Sequence, residues 1–273
     1  EESHKTPLIH THSIMSASST CEGEVEREFD GYTAILPTVS AANVAQMAVD
    51  MIATLPSFSL HSHLSIPHVV DFVGCDPTAC NQDELVGRIG SSLELYVNRE
   101  DRLVMLQQRA PALNGMSQTL SEECVKYLTD RGVASFLVAV GFDLKERCRS
   151  RDFDVPGALP NIGMFCRKES ELPFAKPDLP PLTGFPKESQ GAEGVFKYMS
   201  GVKSAGNAGH ICNAVLPMPL CGLCLFVPDG ANLDWARMLA QGIAEILGVS
   251  GTVRVPLSFG QTTLSDAERS IFA

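Results

Sequence analysis

The fold of this chain is decided by Phe29–Leu55, which reads FDGYTAILPTVSAANVAQMAVDMIATL. Within it, Tyr32–Leu36 is a short apolar run bounded by Gly31 and Pro37, which is typical of an interior strand. Ser40 stands where an N-cap belongs, and apolar residues then recur with helical spacing. This stripe consists of Val44, Met47, Ala48, Met51, Ile52 and Leu55. A strand that feeds an amphipathic helix is the usual opening of an α/β sheet domain.

The rest of the chain continues the alternation of strands and helices. Strands are predicted at Ser59–Ile66, Ser92–Val97, Leu103–Gln107, Ala134–Val140 and within 215–228, and an extended segment at Val253–Phe259. Helices are predicted at Met116–Arg131 and from Asn232 or Asp234 to Leu247. Ser92–Val97 alternates apolar residues with Glu94 and Tyr96, so we expect a half-exposed strand in a hairpin with the next one. The pattern predicts an α/β three-layer domain with a mixed, mostly parallel sheet flanked by helices.

Composition divides the chain into a leader, one domain and a tail. Residues 1–28 are polar and without period, so we expect disorder, and Met15 suggests that 1–14 extend ahead of the natural start. Residues 29–260 are predicted to form a single α/β domain, and 261–273 a flexible tail. Within the domain, about 143–210 is Pro-rich and is predicted to be an irregular insertion with a short helix near Ala192–Met199. It serves either as a mobile surface loop or as a protein-binding segment.

The overall charge excludes several classes of function. The 273 residues include 32 Asp and Glu against 21 Lys and Arg, a net charge of −11. Sequence-independent nucleic-acid binding needs a basic surface, so we expect no nucleic acid partner. An acidic surface suits a basic protein partner, and equally a protein that simply stays soluble.

No apolar run is long enough for a membrane helix. Nine cysteines scattered through apolar segments indicate reduced, buried thiols in a cytosolic protein.

Two groups of residues have the spacing of metal ligands. Cys221-Gly-Leu-Cys224 has no second ligand pair, and its cysteines lie in the most apolar predicted strand, so we interpret them as core residues. His61, His63 and His68 have no carboxylate or cysteine at suitable spacing. The sequence therefore predicts no metal site. Phosphate-binding loops and the nucleophile elbow of hydrolases are also absent, so no catalytic residue is predicted.

One polar line runs beside the apolar stripe of the first helix. It consists of Asn43, Gln46 and Asp50. These residues could form a contact surface or ligand site at the strand–helix turn, where open α/β sheets commonly bind other molecules. Alternatively, they hold the turn by hydrogen bonds to nearby loops.

The segment Gly31–Ile52 resembles the N-terminal signature of the proteasome assembly chaperone 2 family. The similarity includes Pro37, Ser40, Asn43, Gln46 and Asp50 in the pattern G-[FY]-T…P-x-V-S-x-x-N-V-x-Q-x-A-x-D. Weaker similarities follow at Leu220–Leu247 and Pro256–Gly260, whereas 147–213 matches poorly. The resemblance implies a non-enzymatic chaperone for 20S proteasome assembly, without a cofactor, in the cytoplasm and also the nucleus. The alternative is a hydrolase or phosphorylase-like α/β enzyme. An enzyme requires a convergent polar pocket, whereas a chaperone requires an exposed apolar patch.

The resemblance also implies partners and one binding site. Family members pair with proteasome assembly chaperone 1 as a heterodimer on the proteasome α-ring, and their C-terminal tails enter pockets between α subunits. Carried onto this chain, Ala273 supplies the terminal carboxylate, Phe272 the aromatic ring and Ile271 the apolar residue before it. Phe272 replaces the tyrosine of the family motif. The lost hydroxyl hydrogen bond costs roughly 0.5–1.5 kcal/mol.

Overall fold

The computed structural model describes residues 14–16, 26–81, 89–148, 162–174, 199–228, 230 and 232–260. Its strands are β1 Ile14–Ser16, β2 Thr33–Pro37, β3 Ser59–Ser65, β4 Val73–Cys75, β5 Ile89–Ser91, β6 Leu93–Asn98, β7 Leu103–Gln108, β8 Ser135–Asp143, β9 Ile162–Arg167 and β10 Leu220–Val227. Its α-helices are α1 Val44–Ala53, α2 Ser117–Asp130, α3 Leu144–Cys148, α4 Ala208–Val215, α5 Leu233–Leu247 and α6 Leu257–Gly260. In the part of the chain described here, no helix is long and apolar enough to cross a membrane.

Eight of these strands form one mixed sheet in the order β1-β3-β6-β7-β2-β8-β10-β9. Strands β7, β2, β8 and β10 pair in parallel, and β1 pairs in parallel with β3. Strand β6 is antiparallel to both of its neighbours, and β9 is antiparallel to β10. The carboxyl ends of β3, β7, β2, β8 and β10 therefore lie at one edge of the sheet, which we call the carboxyl edge.

Helices cover both faces of the sheet, which confirms the predicted α/β three-layer fold. Helices α1 and α5 pack on one face, and α2 and α4 pack on the other. Successive residues of a strand point to opposite faces, so Ile35 of β2 contacts the first layer while Ala34 and Leu36 contact the second. Strands β8 and β10 are buried almost throughout. This double burial explains why their sequences are continuous apolar runs.

The β6–β7 hairpin is confirmed, but the expected exposure of one face of β6 is wrong. All six residues of β6 are buried, and Glu94 and Tyr96 are 1% and 4% exposed. Alternation predicts a solvated polar face only where nothing covers it. Here an arginine from a distant position compensates the buried carboxylate, as described below.

The turn between β2 and α1 also differs from expectation. A 3-10 turn at Ala41–Asn43 precedes α1, which begins at Val44, so Ser40 is not its N-cap. The Ser40 hydroxyl oxygen instead accepts a hydrogen bond from the backbone N–H of Gly141 in β8, at 2.9 Å. A Cβ at Gly141 would lie 2.8 Å from the carbonyl oxygen of Ala41. Glycine is therefore required where the turn crosses β8.

Three further segments depart from their predictions. Strand β9 lies inside 143–210, where an irregular insertion was expected, and it extends the sheet beyond β10. Strand β1 lies inside the leader, so disorder is wrong for Ile14–Ser16, because the open edge of β3 supplies a backbone partner that composition does not reveal. The extended prediction for Val253–Phe259 is wrong from Leu257 onward, where α6 begins. The short helix predicted near 192–199 lies outside the described residues except for its last residue.

Candidate protein-binding surface

A buried charge network occupies the carboxyl edge of the sheet. Arg109 follows β7 directly, and its guanidinium donates hydrogen bonds to Asp50 of α1 and to Glu94 of β6. The two Arg109 bonds to Glu94 Oε2 measure 2.9 and 2.7 Å. All three side chains are at least nine-tenths buried. Buried ions need such partners because the cost of their lost hydration is otherwise uncompensated.

Neighbouring side chains complete this network. The Tyr96 hydroxyl donates to Glu94 Oε2 at 2.8 Å, and Gln107 Nε2 donates to Asp50 Oδ1 at 2.7 Å. Burial raises the pKa of Asp50, although the Arg109 guanidinium opposes this shift. Burial lowers the pKa of Arg109, but the two carboxylates outweigh it and the net shift is upward. Arg109 is therefore a fixed cation that compensates two buried acids.

Two residues of the polar line, Gln46 and Asp50, face this network, whereas Asn43 precedes α1 and is exposed. Gln46 Nε2 donates to the backbone oxygen of Gln108 at 2.6 Å, and Asp50 binds Arg109. On the other side of the turn, Asn207 Oδ1 accepts from the Val39 N–H at 2.8 Å. These contacts favour the structural alternative, in which the polar line holds the β2–α1 turn against β7.

The network also anchors a small hairpin formed by β4 and β5. Glu94 Oε1 accepts a hydrogen bond from the Ser91 N–H at 2.8 Å, and the Arg109 N–H donates to the Ser92 oxygen at 2.9 Å. The Ser92 hydroxyl accepts from the Phe72 N–H and donates to the Val70 oxygen, both at 2.8 Å. The hairpin is thus attached at the carboxyl edge by hydrogen bonds between the side chains of Glu94 and Ser92 and the backbone on both of its sides.

One face of this hairpin is apolar and exposed. In the β4–β5 register, Val73 lies opposite Ser91 and Cys75 lies opposite Ile89, so these residues share a face. Val73 and Ile89 are 73% and 59% exposed. The other face is covered, because the Phe72 ring lies against Gly74 and Pro77 lies against Gly90, where a Cβ would meet them at 2.8 and 3.0 Å.

The adjacent segment adds two more exposed apolar side chains. Val69 pairs with Ala112, and both pack against the core. The flanking residues Val70 and Leu113 are 39% and 47% exposed. We call the resulting surface the apolar patch; it comprises Val70, Val73, Ile89 and Leu113. Exposed apolar residues that cluster on neighbouring segments mark protein-interaction sites more often than solitary ones do.

The histidines do not converge on one site. The bulge between Leu60 and Ser62 interrupts the alternation of β3. His61 lies 3.4 Å from Glu28, His63 lies 2.9 Å from Ser91 Oγ and 3.6 Å from Glu94, and His68 lies 3.7 Å from Glu123. These three carboxylates are distant in sequence from the histidines, so the spacing of the histidines does not reveal them. Within the described ranges, no three His, Cys, Asp or Glu side chains are grouped to hold a metal ion.

The cysteines of the CxxC sequence point in opposite directions. Both lie in β10 and are fully buried, which confirms their assignment to the core. Cys221 faces the α1/α5 layer and Cys224 the α2/α4 layer. A hydrogen bond with Cys166 and burial raise the pKa of Cys221, and burial raises that of Cys224. Two thiols on opposite faces of one strand cannot bind the same ion.

A small cavity lies beneath the carboxyl ends of β2 and β7. Its volume is about 10 Å³, which is room for one water molecule, and its lining includes Leu36, Leu106, Gln108 and Cys124. Such a space does not hold an organic substrate. The described part of the chain presents an exposed apolar patch, which is the feature expected of a chaperone.

Comparison with known sequences places this architecture in a family. The model of the PAC2 family matches residues 34–169. The chain belongs to the PAC2 family. It is 40% identical over 90 residues to a protein of Nematostella vectensis named proteasome assembly chaperone 2, and 29% identical over 122 residues to the human protein of that name. These alignments cover 32% and 42% of this chain and only 36% and 44% of the relatives.

Solved structures share the fold of this PAC2-family chain. An archaeal homologue of proteasome-assembly chaperone, Pyrococcus furiosus PbaA, superposes with a TM-score of 0.53 at 13% identity, covering 91% of this chain and 93% of that one. A protein of unknown function from Thermoplasma acidophilum gives 0.56 at 12% identity, covering 91% and 89%. At these identities the likeness shows the fold alone. The predicted tail site, Ile271, Phe272 and Ala273, lies outside the described residues.

Proposed function

We propose that this protein is a non-enzymatic chaperone of 20S proteasome assembly that acts as a heterodimer with proteasome assembly chaperone 1. Its family and the names of its relatives support the assembly role. The observation that carries the partner proposal is the apolar patch at the carboxyl edge. The proposal requires no cofactor and places the protein in the cytoplasm and the nucleus.

The chemistry of the patch suits a lasting partner better than a transient one. Interfaces of permanent complexes are more hydrophobic than those of transient encounters. Val73 and Ile89 project from a hairpin whose opposite face is closed by Phe72 and Pro77. An ordered apolar face loses little entropy when a partner covers it. We therefore assign this surface to the related chaperone chain and the C-terminal tail to the α-ring.

The charge network supports a structural role instead of catalysis. Every charge in it has a partner: Arg109 binds Asp50 and Glu94, while Tyr96 and Gln107 bind the same carboxylates. An active site normally keeps a polar group available to a substrate in an open pocket. Here Asp50 and Glu94 both bind Arg109, and these bonds hold α1, β6 and the end of β7 together at the edge that carries the hairpin.

The heterodimer is tested by co-expression of tagged chain with proteasome assembly chaperone 1. We expect a stable 1:1 complex by light scattering, and its loss in Val73→Lys and Ile89→Lys variants. Met238→Lys is the matched control, because Met238 is 42% exposed on α5, outside the patch. All three variants should keep the wild-type melting temperature. A complex that survives both patch substitutions, or no complex with the wild type, would overturn this assignment.

The tail is tested separately on purified 20S particles. We propose that Ala273 supplies the carboxylate, Phe272 the ring and Ile271 the apolar residue that enter a pocket between α subunits. Once the domain has bound elsewhere on the particle, the link between domain and tail raises the effective concentration of the tail at its pocket, so the two contacts strengthen each other. Deleting the three residues, or extending the chain beyond Ala273, should weaken binding without affecting heterodimer formation. Unchanged affinity in both variants would remove the tail from the mechanism.

A further inference from the structure

Two cysteines face each other across the outermost strand pair at one side of the sheet. Strand β9 is antiparallel to β10, and their register places Cys166 directly opposite Cys221. Residues in such positions share a face, and their Cα atoms lie about 4.5–5.5 Å apart. Disulfides span Cα separations of about 4.4–6.8 Å. The backbone therefore already holds these two residues at bridging distance.

The two side chains lie on the same face of the sheet. Cys221 belongs to the core on the α1/α5 face, and Cys166 packs against that same core. The two thiols are hydrogen-bonded to each other, and this contact and burial raise the pKa of Cys221. Cys221 therefore stays protonated more readily than an ordinary thiol. Among the described strand registers, this is the position where two cysteines oppose each other.

The pair is unequal in access to solvent. Cys221 is fully buried in β10, whereas Cys166 is half-buried on the edge strand β9. A soluble oxidant therefore reaches Cys166 first. The attacking group in thiol–disulfide exchange is the thiolate, which forms more readily on the more accessible cysteine. Cys166 therefore attacks the oxidant, and Cys221 then attacks the mixed disulfide on Cys166.

We propose that Cys166 and Cys221 form a reversible intramolecular disulfide by exchange with a small-molecule disulfide such as oxidised glutathione. The Cys166 thiolate attacks one glutathione sulfur, the glutathione S–S bond breaks, and the first glutathione leaves and takes a proton. Cys221 then attacks the Cys166 sulfur of the mixed disulfide and gives its proton to the second departing glutathione. One oxidised glutathione is thereby reduced to two thiols, and two protein thiols are oxidised to one disulfide.

The structural consequence is a covalent attachment of β9 to the core strand β10. Without it, the edge strand is held by its backbone ladder and side-chain packing alone. The bridge also closes the chain between residues 166 and 221 into a loop. Constraining the unfolded chain in this way stabilises the fold, so oxidation should raise the melting temperature by about 5 °C or more.

The test uses the full chain incubated with oxidised glutathione under native conditions. Free thiols are alkylated, and peptides are mapped by mass spectrometry before and after reduction. We expect a Cys166–Cys221 cross-linked peptide, together with the rise in melting temperature, and reversal of both by dithiothreitol. Cys166→Ser should abolish the cross-link and the thermal shift. Cys124→Ser, which removes a buried cysteine of α2, should leave both unchanged.

Three outcomes would overturn the proposal. In the first, Cys166 carries glutathione but no link to Cys221 forms. In the second, Cys166 pairs with a different cysteine. In the third, neither thiol reacts while the protein remains folded. Because the mapping is done on the wild-type chain, the result does not depend on whether a variant folds.

Discussion

Replacing Arg109 by methionine tests whether the charge network holds the carboxyl edge together. Methionine retains much of the side-chain volume but removes the cation, so Asp50 and Glu94 remain buried without their common partner. Arg109 makes three hydrogen bonds to these acids, and its own side chain is 7% exposed. Breaking a buried ion pair on one side costs about 3–5 kcal/mol. We expect Arg109→Met to lower the free energy of unfolding by that amount at pH 7.5.

The loss should depend on pH through Asp50. Burial raises the pKa of Asp50 above its ordinary value even with Arg109 present. A raised carboxyl pKa means that protonated Asp50 favours the folded state. The stabilisation that this proton gives is complete below the pKa of Asp50 in the unfolded chain. It is lost as the pH rises through the pKa of Asp50 in the folded protein. Removing Arg109 removes an influence that lowers this pKa, so the variant should lose less stability at pH 5 than at pH 7.5.

Urea unfolding monitored by Trp235 fluorescence measures both effects. Trp235 is the single tryptophan and packs against the α1/α5 core. The control is Lys126→Met, which removes an exposed ion pair with Asp130 and should cost no more than about 0.5 kcal/mol. The reasoning is refuted if Arg109→Met costs no more than this control. A cost that grows from pH 7.5 to pH 5 would refute the role given to Asp50.

Three further outcomes are expected. In Gly222→Ala, the new Cβ overlaps the Phe165 ring, so the free energy of unfolding in urea should fall by about 1–3 kcal/mol. In Gly242→Ala, the new Cβ meets only the flexible ends of side chains, so the free energy of unfolding should stay near the wild-type value or rise. Ser40→Ala removes the acceptor for the Gly141 N–H and should lower stability by about 1–2 kcal/mol, with faster amide exchange at that position. Elemental analysis of purified protein should find no stoichiometric zinc, and one zinc per chain would contradict the core assignment of the CxxC cysteines.

The local sequence pattern is sufficient to predict the helices and strands whose apolar residues recur with a clear period. Helix α5 ends at Leu247, as its pattern predicts. The next residue, Gly248, has a φ of 67°, which is the left-handed conformation that glycine tolerates. Strand β10 was predicted from its apolar run, and α2 from its apolar face. In each case the residues that specify the element lie inside it. The family signature around β2 and α1 then identified the family.

What escaped prediction depends on partners that are distant in sequence. Glu94 was expected to face solvent, and only Arg109 and the packed α1 layer explain its burial. Strand β9 is short and contains a glycine, and it becomes a strand because β10 offers an unpaired edge. The apolar patch was expected as a property of a chaperone, but its residues could not be named. Exposure of Val73 and Ile89 follows from the orientation of the hairpin, which the Ser92 and Glu94 hydrogen bonds set.

The position of β9 in the sheet has a consequence for synthesis of the protein. Its partner β10 comes later in the chain, and the ribosome must add the 60 residues from 168 to 227 before that strand is complete. At about 5–20 residues per second, this takes roughly 3–12 s. During that interval the apolar stretch Ile162–Arg167 has no strand to pair with, and the edge of β8 that later receives β10 is open as well. A nascent chain halted before Leu220 therefore displays two unsatisfied strand edges, and its aggregation should depend on whether a general folding factor binds it first.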